Sequence, residues 1–255
     1  MRFRHSLAIA RNDLRLLRSD PLPLVLLMLM PIVLIPFVKP ALRLTLLAEG
    51  VTAPSGAEQA VPGMAVLFGF FLASQVPFGI YNEHVWSTWA RLRASPASTA
   101  EILVGKTILP LFEAAVQAAV LLGLGAVLFR MHIQESWLML AAVAAAFSLY
   151  LVTFGLAITA ICHSLMQVNV ITNVSAVILA GLGGALVPES FLPHWATILS
   201  PIVPSYWAME GYRRTIIGGH GGVLGPVCAL LAYAALFALV AGRWLRLDDT
   251  KTGFS

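Results

Sequence analysis

The sequence predicts an all-α integral membrane protein: six transmembrane helices, an N-terminal amphipathic interfacial helix before them, and short re-entrant helices between the fifth and sixth spans. Hydrophobic residues make up 59% of the chain and charged residues 11%, with a mean hydropathy of +0.85, a balance that belongs to membrane proteins. Six apolar runs are long enough to cross a bilayer, which takes roughly 20 helical residues at 1.5 Å each. The stretch from Gly181 to Tyr206 interrupts an apolar run with Gly183, Gly184, Pro188, Glu189, Pro193, His194, Trp195, Pro201 and Pro204. It cannot be one more span. Irregular backbone persists near lipid only where protein or water shelters it, so a break of this kind points to a pathway.

Residues 1–19 form the first element. A period of about 100° per residue puts Phe3, Leu7, Ala10, Leu14 and Leu17 within an arc of about 80°, and Arg4, Arg11, Arg15 and Arg18 within a neighbouring arc of about 60°. That is the pattern of a helix lying in the interface, its arginines reaching headgroups or a protein partner. Ser19, Asp20 and Pro21 stop it, with Asp20 as the expected N-cap of the first span and Pro21 as its first helical position. The spans are read as Leu22 to Val38, Met64 to Tyr81, Ile102 to Phe129, Trp137 to Ile161, Val168 to Val187 and Val223 to Trp244. The whole of 1–255 is one transmembrane domain, with no connection large enough to be a soluble one.

Orientation follows from lysine and arginine near span ends. With the N-terminus inside, Arg2, Arg4, Arg11, Arg15, Arg18, Arg91, Arg93, Lys106, Arg243, Arg246 and Lys251 are cytoplasmic, against Lys39, Arg43, Arg130, Arg213 and Arg214 outside. Both termini are therefore expected in the cytoplasm. The net charge of +4 reflects attraction to anionic headgroups, and nothing calls for nucleic acid. Five arginines in the first 18 residues, with no small-residue site closing a short apolar core, argue against a cleaved signal. Cys162 falls at the inner end of the fourth span and Cys228 near the outer end of the sixth, too far apart for a disulfide.

Glu83 to Lys106 is the longest cytoplasmic connection. It mixes Trp86 and Trp89 with Arg91 and Arg93 before Ser95-Pro96, which reads as a short helix, Val85 to Ala94, then a turn; a wet loop with interfacial tryptophans is the plainer reading. Gly105-Lys106-Thr107 imitates the close of a phosphate-binding loop, but Ala100 stands where its first glycine belongs and no strand precedes it. Lys106 is read as a cytoplasmic-end anchor. This chain holds neither ATP nor a metal: His132, His163, His194 and His220 show no paired spacing.

Polar residues inside spans are expensive and face protein or water. Glu113 stands about two turns deeper than Lys106, with Gln117 one turn further on the same face; the two serve either a cation-attracting substrate site or a carboxylate paired near the inner interface. Asn169 and Asn173 share a face of the fifth span, suited to helix packing or to a cavity wall.

Two sets of residues carry a resemblance. One is Glu83, Thr88, Leu92, Arg93, Ala94, Ser95 and Pro96, followed by Leu103 and Lys106, with Ser87 where the pattern has Gly; the other is Gly183, Gly184, Pro188, Leu192, Pro193, Trp195, Pro204, Tyr206, Trp207 and Arg213. With the amphipathic start and six spans, the chain resembles the permease subunits of type II ATP-binding-cassette (ABC-2 type) exporters. The resemblance implies a cytoplasmic ATPase partner that binds ATP and Mg, and a second copy of the permease (homodimer) or a related one, in a bacterial inner membrane. It makes region 83–100 a coupling helix whose Glu83, Trp86, Thr88, Arg91, Leu92, Arg93, Ser95 and Pro96 meet the ATPase. On this reading 182–207 is an external gate built on Gly183, Gly184, Pro188, Pro193 and Trp195. The cargo implied is an amphipathic drug, antibiotic or lipid-like molecule, as in multidrug resistance, with a polysaccharide or lipid-linked glycan as the alternative. An ion-coupled secondary transporter is a further alternative, since broken helices suit such carriers too.

Overall fold

The fold is known from a computed structural model that describes residues 3–85, 88–89, 91, 94–218 and 222–245, all-helical among the described residues. The helices are α1 (Phe3–Ser19), α2 (Leu22–Ala48), α3 (Ala57–Ala73), α4 (Gln75–Val85), α5 (Thr99–Leu128), α6 (Trp137–Ile161), α7 (Leu165–Leu182), α8 (His194–Leu199), α9 (Pro204–Ile216) and α10 (Leu224–Trp244). Six stretches are long and apolar enough to cross a membrane: α2, α3 with α4, α5, α6, α7 and α10. They run up and down, so α1, the end of α4 and the start of α5 share one end of the bundle. The segment between α7 and α10 lies at the far end.

Local chemistry explains where the boundaries moved. Asp20 does not cap α2, contrary to expectation; Pro21 is the N-cap residue and the helix begins at Leu22. The helix then runs ten residues past Val38 through Pro31, Pro36 and Pro40; membrane helices tolerate prolines where neighbouring groups and local adjustments satisfy the freed backbone carbonyls. Lys39, which looks like a stop in sequence, sends its Nζ to the Phe129 carbonyl at 2.9 Å, a cation closing the C-terminus of α5. α5 starts at a capping box, in which the Glu101 amide donates to Ser98 Oγ at 3.3 Å and the Ser98 amide to Glu101 Oε2 at 2.9 Å. α7 starts earlier than expected, with the Gln167 amide bonded to Ser164 Oγ, and stops at Gly183, with Gly184 at φ +76°. That is a left-handed position glycine takes without strain.

The core is built on α3 and α6. Phe70 of α3 meets Phe147, Tyr150 and Phe154 edge-on with ring centroids 5.9, 6.1 and 5.9 Å apart, and Phe237 of α10 meets Tyr150 and Phe154 at 5.8 and 5.5 Å, the geometry aromatic quadrupoles favour. About two-thirds of the α3–α4 span and 72% of α6 are buried, against 11% of α2 and 22% of α7. The second span is interrupted at Ser74, between α3 and α4, where Pro77 cannot donate to the Ala73 carbonyl. Opposite that carbonyl α6 carries Gly155, where a Cβ would fall 2.4 Å from the Ala73 oxygen. Small residues let helix backbones approach in this way.

α1 packs along α5 through Ser6 and Ala10, at the edge of its apolar stripe. Ser6 and Ala10 are buried while Leu7 is 65% exposed. Ser6 Oγ donates to the Glu101 carbonyl at 2.8 Å, and Gly105 of α5 makes room for Ile9.

Candidate functional site

At the α1 end, Lys106 is buried in the first turns of α5. Its Nζ donates to Asp13 Oδ1 of α1 at 2.9 Å and to Glu83 Oε1 of α4 at 2.6 Å. Thr88 Oγ1 donates to the other Glu83 oxygen, and the Thr88 amide to the Glu83 carbonyl at 3.0 Å. One ammonium thus ties three helices and the connection after α4 into a single node. Burial pushes the Asp13 carboxyl above its ordinary value, the Lys106 ammonium pulls it back, and Glu83 adds a smaller upward push. The reading of Lys106 as a simple end anchor is therefore corrected. Asp13 lies on the side of α1 opposite its arginines, which is why it reaches α5.

Beside this node opens a cavity of about 590 Å³, lined by His5, Asn12, Asp13, Glu83, Thr88, Arg91, Ser95, Pro96 and Lys106 among others. Five of the expected coupling residues, Glu83, Thr88, Arg91, Ser95 and Pro96, are brought together on it. Trp86, Leu92 and Arg93, together with much of the expected Val85–Ala94 helix, lie outside the described residues. Thr88 is not helical, Trp89 is buried and Arg91 is exposed.

At the far end Arg213 of α9 is the hub. Its guanidinium donates to Glu49 Oε2 at 2.7 Å and to Gln59 Oε1 at 3.1 Å; Gln59 Nε2 donates to the Gly184 carbonyl at 2.7 Å, and Ser190 Oγ to Glu49. The turn after α7 sits hard against its neighbours. A Cβ on Gly183 would lie 2.2 Å from Ser205 Oγ, and one on Gly63 of α3 would lie 2.1 Å from the Ala185 carbonyl oxygen. Pro188 precedes a one-turn 3-10 helix and Pro193 precedes α8, while Trp195 is 62% exposed. Gly183, Gly184, Glu49, Glu189 and Arg213 border a cavity of about 210 Å³. Burial raises the Glu189 carboxyl above its ordinary value, with Glu210 adding to the rise and Arg213 opposing it.

Against this geometry stands one comparison that decides the family: the model of the ABC-2 type transporter matches residues 6–217. The chain belongs to the ABC-2 type transporter family. A search of the curated proteins found no match. An ABC-2 membrane domain is a permease component, and the family implies partnership with an ABC ATPase subunit. The matched residues include both polar nodes of this ABC-2 permease and leave out only its first five residues and α10 with its flanks.

Within the spans of the permease, Glu113 and Gln117 are buried, and Gln117 Nε2 has no hydrogen-bond partner. Asn173 Nδ2 donates to the Asn169 carbonyl at 2.8 Å and to the Asn169 side chain, with both residues exposed along α7. The structure therefore does not join the expected pathway residues into one site: Glu113 and Gln117 lie within the subunit and the asparagines on its surface. Asp13, Glu49 and Gln59 were missed by sequence reasoning. Asp13 could have been found from its isolated position on α1; Glu49 and Gln59 carry no local signal, since their partner Arg213 is 164 and 154 positions away.

Proposed function

We propose that this permease is the membrane subunit of an exporter that moves an amphipathic small molecule, drug-like or lipid-like, out of the cytoplasm or the inner leaflet. A separate ATPase that binds ATP and Mg supplies the energy. The observation that carries the reading is the Lys106 node. It holds α1, α4 and α5 on one charge next to a cavity whose rim, Arg91 and Pro96, is exposed, so that a body docking there pushes on three helices at once. Trp and Arg, the residue types of region 83–100, are those enriched in interface hot spots.

In this reading the α1 end faces the cytoplasm of a bacterial inner membrane, as its basic residues favour. α1 lies in the interface with Leu7 toward lipid, and the segment 182–207 is the external gate. Two copies pair through α2 and α7, whose apolar faces are mostly exposed in one subunit and whose Asn169 and Asn173 would be costly in lipid. The test is the pair of substitutions Trp86→Ala and Leu92→Ala. Transport should fall by more than tenfold while ATP hydrolysis persists, and unchanged transport by the reconstituted complex would sink the assignment.

A further inference from the structure

We propose that a cavity inside one subunit, walled by α1, α2, α4 and α5, takes the ammonium head of an amphipathic cation on Glu113. The cavity measures about 240 Å³, and its ionisable lining is four carboxylates, Asp13, Asp20, Glu83 and Glu113, against a single cation, Lys106. Lys106 is already bound to Asp13 and Glu83, so it does not neutralise the other two. Glu113 is 4% exposed and makes no hydrogen bond or ion pair among the described residues. A buried carboxylate with no partner is costly, and a counter-cation in the cavity relieves that cost.

The walls suit a tail as well as a head. Phe78 and Leu109 line the same space, and an aromatic face attracts a desolvated ammonium. Gly79 also lines it, and a Cβ placed there meets nothing within 4 Å. No packing contact requires a glycine at this point inside α4, where it costs roughly 0.5–1 kcal/mol relative to Ala; its effect is to keep the cavity open. The shared chemistry is an ammonium on an apolar chain, whether from a free amphiphile or from phosphatidylethanolamine. The assignment rests on the exporter reading only in treating the bound cation as cargo.

The probe is radiolabelled dodecyltrimethylammonium, bound without ATP to the full chain in phosphatidylglycerol nanodiscs. Saturable binding is expected, weakened at least about tenfold by Glu113→Gln and largely kept by Glu113→Asp. Gly79→Leu, which fills the cavity without changing a charge, should weaken it comparably, and it decides the matter alone if Glu113→Gln does not fold. Dodecanol should not compete. Displacement by added phosphatidylethanolamine makes the lipid headgroup the source of the cation, and its absence makes the source a free amphiphile. Unchanged affinity in the folded variants, or equal competition by dodecanol, overturns the site even if the chain exports. Variant-sensitive binding by a chain that exports nothing keeps the site and overturns the exporter reading.

Discussion

At the α1 end a buried lysine joins Asp13, Glu83 and, through Glu83, Thr88, so that α1, α5 and the stretch at the end of α4 meet on one charge. At the far end Arg213 sits beside a turn where Gly183 meets Ser205, and Gly63 meets Ala185, with no room for a methyl group. Charges acting through long side chains tolerate displacement of the helices that carry them, whereas backbone contacts at van der Waals distance do not. The first end is suited to pass on a push and the second to hold a shape until a larger change releases it.

Substitutions can break this contrast. The largest effect is expected from Lys106→Met, which leaves Asp13 and Glu83 facing each other without the ammonium between them. Loss of one partner from a buried ion network costs about 3–5 kcal/mol, read as a lower midpoint of thermal unfolding in detergent with α1 becoming open to proteolysis. A midpoint equal to that of the parent chain would remove the node from the argument. Gly63→Val is expected to cost about 1–3 kcal/mol by overpacking against the Ala185 carbonyl. Proteolysis should then appear in the segment after α7 and not at α1; cleavage at the α1 end instead would erase the distinction between the two ends. Ser98→Ala removes the capping-box acceptor of α5 and should cost about 1 kcal/mol. It should loosen the start of α5, seen as faster amide exchange over the first turn, and leave the far end unchanged.

The spans were legible because length and hydropathy decide what can cross a bilayer, and Trp137 to Ile161 has the same limits in sequence and structure. The ends of α2 and α7 were not, because Lys39 and Pro40 look like a stop until the partner of Lys39 is known, and Ser164 looks like loop until it caps. The family pattern singles out Glu83, Thr88, Gly183 and Gly184, and the structure places the first two beside Lys106 and the last two beside Arg213. Glu49 and Gln59 act through Arg213, distant in sequence, so only the fold could reveal them, whereas Asp13 stands apart from the arginines of α1 in the sequence itself. The apolar stripe of α1 did not show that the adjoining face, bearing Ser6 and Asp13, packs on α5.

The interruption at Ser74 divides the second span into two parts with different surroundings. Above it α3 is wedged in the aromatic core; below it α4 carries Glu83 six residues beyond Pro77, roughly 9 Å along the axis. Tyr81, between the two, is tethered by its hydroxyl to the Cys162 carbonyl at 2.5 Å. A pivot of roughly 10° at the proline would carry the Glu83 carboxylate sideways by roughly 1.5 Å, a shift that the long side chains of Glu83 and Lys106 could follow. Such a break would make the lower half of the second span a short lever, whose rotation the node would share with α1 and α5.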